Sequence, residues 1–179
     1  MVVIIYFGGD IMNLNTKFLT RAGLLLALTI GLQLLSRSLG GTTLLTGSLV
    51  NMMLIISTAI LGWRGGVVVG TFTPVIAVLL GIMGLPILVP AIIIANLVLV
   101  VSYYLIKGSN RYLALAIGAV SKFLVLSATV KYLLQVPPPV VKMMQLPQLY
   151  HALIGGVAAI LFMQVLNRVD SEGKIFAGD

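Results

Sequence analysis

The chain has 179 residues, of which 60% are hydrophobic and only 8% are charged. An average soluble domain is about 25% charged, so this chain lacks the polar surface that a water-soluble fold needs. The composition therefore predicts an integral membrane protein. Cysteine is absent and only one histidine is present, which excludes disulfides and leaves no ligand set for a catalytic metal. We expect neither a cofactor nor a bound metal.

Acidic residues occur only near the two ends, at Asp10, Asp170, Glu172 and Asp179. The net charge of +7 comes from basic residues scattered over predicted loops and helix ends. This scatter is not a nucleic-acid-binding stripe, and its expected counterpart is the phosphate of lipid headgroups. We therefore expect membrane lipids, and no nucleic acid, among the partners.

Six predicted spans follow one another along the chain, each close to the length of about 20 apolar residues that a bilayer requires. They cover residues 18–36, 44–61, 66–83, 87–106, 112–134 and 149–166. Gly, Pro and basic residues mark the breaks, as in the Gly-Trp-Arg-Gly sequence at 62–65. Pro137-Pro138-Pro139 opens a loop that is either a stiff strap over an outward-facing cavity or a plain spacer.

The N-terminal residues do not fit this scheme. The apolar run at 2–7 is too short to span a membrane and lacks the features of a signal peptide, so Met12 is an alternative start. The predicted organisation is an uncertain extension (1–12), a six-helix membrane domain (13–170) and a cytoplasmic tail (171–179).

The basic residues predict the orientation. Six spans place both termini on one side, and the side with more Lys and Arg near the spans faces the cytoplasm. Both termini are therefore predicted to be cytoplasmic. Seven basic residues lie on their side and three on the other: Lys17, Arg21, Arg64, Lys107, Arg111, Arg168 and Lys174 against Arg37, Lys131 and Lys142.

Energy coupling and catalysis are constrained by what the spans lack. Ion-coupled transporters usually carry ionisable acids inside the membrane, and none occurs from residue 11 to residue 169. The G-x-x-x-x-G-K-[ST] loop that binds ATP is absent. A carboxylate pair and a recognisable nucleophile motif are also missing, so we predict no catalytic residues. If the chain transports, it equilibrates passively or takes energy from a partner.

Lys122 is the most informative residue because it lies at the middle of the fifth predicted span. A charge at the bilayer centre costs about 2.5–3.5 kcal/mol, and no acidic residue in any span can neutralise it. It is either an interior group that contacts a ligand, polar side chains or a partner, or a lysine that snorkels to an interface. Asn51 and Asn96 lie at a similar depth and need hydrogen-bond partners, either on another helix or on a ligand.

Two further sets of residues are candidates for contacts. Gln148 and His151 begin the sixth span, where a lone histidine is more often an interfacial hydrogen-bonding group than a ligand contact. Gly23, Ala27 and Gly31 recur every fourth residue on the first span, a pattern that lets another helix approach closely. A similar stripe, Gly66, Gly70 and Pro74, lies on the third span.

These features resemble the membrane-embedded substrate-binding subunit, or S component, of an energy-coupling factor (ECF) transporter. The resemblance covers residues 13 to 168. It depends on the six short spans, the carboxylate-free interior, the first-span stripe and the stretches 46–51 and 121–123. The family has an A-x-x-x-A stripe on the first span, and glycine replaces alanine here at Gly23 and Gly31.

The resemblance implies an all-α bundle of six transmembrane helices in a prokaryotic plasma membrane, with both termini cytoplasmic. It implies high-affinity capture of a vitamin or vitamin precursor, powered by a transmembrane coupling subunit and two cytoplasmic ATPases. The stripe at Gly23, Ala27 and Gly31 would contact the coupling subunit. The ligand would lie in the outer half, with a floor and a rim formed by Asn51, Asn96, Lys122, Gln148 and His151.

Trp63, the only tryptophan, is predicted to be cytoplasmic, which argues against a ligand sandwiched by tryptophans. A cationic floor disfavours a cationic ligand, so we expect a small neutral or anionic heterocycle. The main alternative is a six-span membrane scaffold that binds proteins and no small molecule. A passive channel would need a continuous polar path, and the inner halves of the spans look too apolar for one.

Overall fold

A computed structural model of the chain describes residues 3–7, 10–14 and 16–169, with side chains for 16–168. An antiparallel hairpin of β1 (Val3–Phe7) and β2 (Asp10–Leu14) precedes the helices. The predicted tail, 171–179, lies outside the described residues. The described part contains six α-helices: α1 (Thr16–Ser38), α2 (Thr43–Leu79), α3 (Val89–Ile106), α4 (Arg111–Ala128), α5 (Pro138–Met143) and α6 (Leu146–Val169).

Five helical segments of the described residues are long and apolar enough to cross a membrane. A 3-10 turn (Pro86–Leu88) leads into α3, and a π-helical turn (Thr129–Leu133) extends α4, which gives both segments spanning length. The fifth candidate comprises α5 and α6. The prediction of a loop after Pro137 is wrong in part, because Pro138 and Pro139 start α5. Proline is favoured in the first helical turn because the backbone donor it lacks has no helical partner there.

Helix α2 folds back on itself at Gly62. As a straight helix, its 37 residues would be about 55 Å long, well beyond the roughly 30 Å core of a bilayer. Gly62 instead has φ +71° and ψ −171°. A Cβ built on Gly70 would lie 3.4 Å from Leu54 Cδ2, although sixteen residues of straight helix would separate them by about 24 Å. We call the two antiparallel arms α2a (43–61) and α2b (63–79).

Lys107, just after α3, supports this fold-back. Its Nζ donates to the Thr58 carbonyl at 3.4 Å, close to the end of α2a, where the last carbonyls have no partner within the helix. A cation near a helix C-terminus is also favoured by the helix dipole. Burial lowers the pKa of the Lys107 amine, and the positive charge of Arg111 lowers it further.

Gly62→Ala tests the fold-back. A backbone with positive φ and ψ near 180° is essentially restricted to glycine, so a Cβ should cost about 1–3 kcal/mol. We expect a lower thermal unfolding temperature in detergent. Gly108→Ala is the matched control, because an added Cβ there meets nothing within 4 Å and its φ is not positive. Equal unfolding temperatures for the two variants would contradict a glycine-dependent turn.

The two arms of α2 lie at the centre of the bundle. Helix α2 packs against α1, α3 and α6, while α4 packs against α3 and α6. Glycines make these contacts close: a Cβ on Gly155 would meet the Ser48 carbonyl oxygen of α2a, and one on Gly118 would lie 3.0 Å from Leu99 Cδ1 of α3. A Cβ on Gly66 would likewise clash with neighbouring side chains, and one on Gly70 would have very little room. The third-span stripe therefore packs inside the bundle.

The stripe on α1 faces outward instead. Gly23, Ala27 and Gly31 are all exposed, and a Cβ added to either glycine would meet nothing within 4 Å. The opposite face of α1 is buried and includes Thr29, Ile30, Gln33 and Ser36. This small-residue groove is therefore not used for packing within the described part of the chain.

Candidate ligand-binding site

Lys122 lies inside the bundle and does not snorkel. It is the middle residue of the segment from Arg111 to Leu133, and only 2% of its surface is exposed. Its Nζ donates to Asn51 Oδ1 at 2.7 Å and to Asn96 Oδ1 at 2.8 Å. The three polar residues that the sequence placed at mid-depth therefore form one hydrogen-bonded cluster from three helices.

Backbone carbonyls orient the two asparagines. Pro74 has no N–H, so the Gly70 carbonyl four residues earlier lacks its helical partner. Asn96 Nδ2 donates to that carbonyl at 3.0 Å, and Asn51 Nδ2 donates to the Gly47 carbonyl at 2.8 Å. Each amide is therefore held by its nitrogen and presents its oxygen to Lys122. The cluster has no negative charge to balance an ammonium group.

A cavity of about 440 Å³ adjoins this cluster. Its volume is within the range of about 300–1,000 Å³ that is typical of small-molecule sites. All five residues predicted for the ligand site, Asn51, Asn96, Lys122, Gln148 and His151, line this one cavity. Among the described residues, the cavity wall contains no Phe, Tyr, Trp, Asp or Glu. Its apolar part is aliphatic or thioether and consists of Val50, Pro74, Ala77, Ile82, Met83, Leu85, Leu88, Ile92, Met143 and Met144.

Three cavity-lining side chains carry polar atoms that have no hydrogen-bond partner within residues 16–168. These atoms are Gln33 Nε2, Thr73 Oγ1 and His151 Nδ1, each from a residue no more than 4% exposed. A buried polar group without a partner costs about 1–3 kcal/mol. Gln33 and Thr73 were missed by the sequence analysis, although a glutamine within an apolar span is the same kind of signal as Asn51 and Asn96.

Arg37, also missed as a site residue, closes one side of the cavity. Its Nη1 donates to the carbonyls of Gly81 and Ile82 at 2.6 and 2.8 Å. These contacts tie the end of α1 to the loop that follows α2b. Ser36 and Thr46 share a hydrogen bond of 2.8 Å between their hydroxyls at the same end of the bundle. Polar contacts thus hold the end of α1 to the start of α2a and to the loop after α2b beside the cavity.

A family model described as "ECF transporter, substrate-specific component" matches residues 17–168. The chain belongs to this family. The resemblance found in the sequence is therefore confirmed over most of the predicted membrane domain. No curated protein and no solved structure matches the chain. Family membership makes it a multi-pass membrane protein and the substrate-binding subunit of an uptake system that associates with ECF module components, rather than an enzyme.

In this S component, a close contact between α2a and α6 sets the shape of the cavity. A Cβ added to Gly47 would lie 2.8 Å from His151 Cγ and 3.0 Å from Cε1, so the imidazole occupies the space that a side chain would need.

A second cavity, of about 500 Å³, lies at the other end of α2a and is lined by Lys107, Arg111 and Asn167 among others. The five predicted ligand-site residues line the first cavity only.

Gly47→Ala should displace the His151 ring into the cavity. Overpacking of this kind costs about 1–3 kcal/mol, so we expect ligand affinity to fall about tenfold, as measured by equilibrium binding to the purified protein. Gly84→Ala is the matched control, because Gly84 lines the same cavity and a Cβ there meets nothing within 4 Å. Equal losses in both variants would contradict a specific role for the Gly47–His151 contact.

Proposed function

We propose that this S component captures a small vitamin or vitamin precursor with high affinity in the cavity beside Lys122. A transmembrane coupling subunit and two cytoplasmic ATPases would supply the energy, because the spans contain no acidic residue and the chain has no ATP-binding loop. The ligand would enter from the outer side of the membrane, at the end of the bundle that carries Arg37.

The proposed topology has six spans, with α2a and α2b as separate spans joined at Gly62. The fold-back supports this topology, because a Cβ on Gly70 in α2b would approach Leu54 in α2a to 3.4 Å. Basic residues support the orientation: six of the described ones lie at the proposed cytoplasmic end and three at the other. They are Lys17, Arg21, Arg64, Lys107, Arg111 and Arg168 against Arg37, Lys131 and Lys142.

The single observation that carries the proposal is the buried Lys122 cluster beside a cavity. A membrane scaffold has no need for a lysine in the bilayer core, where a charge costs about 2.5–3.5 kcal/mol. Two neutral amide oxygens hydrogen-bond to the Lys122 amine but provide no opposite charge. A ligand that carries a carboxylate or another strong acceptor would complete the coordination of this amine.

The other predicted site residues would contact the rest of the ligand. His151 lines the cavity, and its Nδ1 has no hydrogen-bond partner among the residues whose side chains are described; the Gln148 amide donates to the Met144 sulfur at 3.8 Å. A weak sulfur acceptor is easily exchanged for a ligand atom. We propose that Asn51, Asn96 and Lys122 form the floor of the site and that Gln148 and His151 form its rim.

Mass spectrometry of the purified protein tests the proposal. We expect protein isolated from its native membrane, without added ligand, to retain a small molecule at a near-stoichiometric level. Denaturation of the protein should release this molecule. Protein with no retained molecule, and with no stabilisation by a panel of water-soluble vitamins, would contradict the proposal and favour the scaffold alternative. The identity of the released molecule would name the ligand directly.

A further inference from the structure

Gln33 and Thr73 are two further polar residues of the cavity lining, and they lie on helices other than that of Lys122. Gln33 lies on α1, which packs mainly against α2, whereas Lys122 lies on α4, which packs against α3 and α6. Both Gln33 and Thr73 line the cavity, and both are at least 96% buried. Gln33 Nε2 and Thr73 Oγ1 have no partner among the described residues.

Three helical hydroxyl groups of the described residues are buried without a hydrogen-bond partner, those of Ser48, Thr73 and Ser127, and of these only Thr73 lines the cavity. A threonine or serine in a helix commonly donates to the carbonyl four residues earlier. Thr29, Ser57, Thr58 and Thr129 do so here, with distances of 2.6 to 2.8 Å. The Thr73 hydroxyl makes no such bond, and it lies beside Pro74 in the helix arm whose freed carbonyl orients Asn96. Because Thr73 lines the cavity and its hydroxyl has no partner in the described part of the chain, a ligand in the cavity could use this hydrogen-bonding capacity.

We propose that Gln33 and Thr73 form a specificity subsite that recognises a neutral carbonyl or amide group on a ligand whose carboxylate is held by Lys122. This inference deepens the proposed function and depends on it. Both polar regions offer donors, since an amide N–H₂ and an ammonium group donate hydrogen bonds and a hydroxyl can donate as well. The aliphatic and thioether wall around Pro74, Leu88 and Met144 suits an aliphatic body that joins the two polar groups.

Two probes distinguish the subsite from simple carboxylate binding. Butanoylglycine has a carboxylate, an amide and an aliphatic chain, and heptanoate has the same chain length without the amide. We expect the wild-type protein in nanodiscs to bind butanoylglycine about tenfold more tightly than heptanoate, the effect of one or two neutral hydrogen bonds. Gln33→Leu and Thr73→Val should bring the ratio of the two affinities close to one without weakening the binding of heptanoate.

The matched control is Ser127→Ala. The Ser127 hydroxyl is also buried and has no partner among the residues that the structure describes, but Ser127 does not line the cavity, so this variant should keep the wild-type ratio. A separate readout excludes a structural role. Because Gln33 Nε2 and Thr73 Oγ1 have no partner in the described part of the chain, the apolar replacements should unfold at the wild-type temperature or above it.

The outcomes separate the subsite from the proposed function. A ratio that stays near tenfold in Gln33→Leu and Thr73→Val overturns the subsite, as does a ratio that falls together with the unfolding temperature. If the wild type binds neither probe, the ligand class is wrong, while the mass spectrum of the retained molecule still tests the binding function. If Lys122→Met weakens both probes and the subsite variants change only the ratio, both inferences are supported.

Discussion

Lys122→Met is expected to lower ligand affinity about 100-fold while leaving the protein folded. A hydrogen bond to a charged group contributes up to about 3 kcal/mol, which corresponds to this factor. Methionine is similar in length to lysine. The substitution also removes the free-energy cost of keeping the Lys122 amine away from water. The loss leaves Asn51 and Asn96 without their shared donor, so we expect the two effects on stability to offset one another roughly.

Equilibrium binding of the molecule retained by the wild-type protein would measure this loss, with thermal unfolding as the folding check. Lys131→Met is the matched control, since Lys131 is exposed beside Tyr132 and does not line the cavity. Unchanged affinity in a folded Lys122→Met protein would remove this lysine from the site. An equal loss in both variants would point to a general effect of charge.

Ala27→Leu and Gly31→Leu are expected to abolish co-purification with the ECF module. Small residues spaced four apart let two helices approach closely, and a leucine fills the groove between them. The groove is exposed on α1, and a Cβ at Gly31 meets nothing within 4 Å, so the variants should fold normally. We expect at least about a tenfold drop in coupling subunit and ATPases recovered with the tagged protein.

Ala116→Leu controls for added bulk on the membrane-facing surface, because Ala116 is an exposed alanine on α4. It should assemble like the wild type. The Ala27 and Gly31 variants should also keep their affinity for ligand in isolation, which separates assembly from binding. Intact assembly in both stripe variants would show that another surface contacts the module.

The sequence predicts the location of the Lys122 cluster because charge in a membrane interior is so constrained. With no carboxylate between residues 11 and 169, a mid-span lysine finds only neutral side chains of its own chain within the spans, and Asn51 and Asn96 are the amides at a similar depth. The sequence could not show that Pro74 frees the Gly70 carbonyl for Asn96, because that contact joins two helices through a backbone atom. Their joint role in ligand binding stays a prediction.

One other feature, the N-terminal hairpin, was predictable in principle but was not recognised, whereas the turn at Gly62 was located only roughly. The Gly8-Gly9 dipeptide between the apolar run at 2–7 and the mixed stretch at 10–14 is a hairpin signal, and the described strands β1 and β2 flank that dipeptide. The break between the second and third predicted spans was assigned to residues 62–65, whereas non-helical backbone is confined to Gly62. A single left-handed glycine that reverses a helix depends on packing between its arms, which local sequence does not reveal.

Helix α1 presents an exposed groove and a cavity wall on opposite faces. Gly31 lies in the exposed groove, and Gln33, two residues later, lies in the cavity wall. No glycine of α1 brings it into close backbone contact with the bundle, unlike Gly155 of α6 or Gly118 of α4. A partner that shifts the outer face of α1 therefore shifts a wall of the cavity as well. Thermodynamic linkage then requires reciprocity: if docking weakens ligand binding by some factor, bound ligand weakens docking by that same factor.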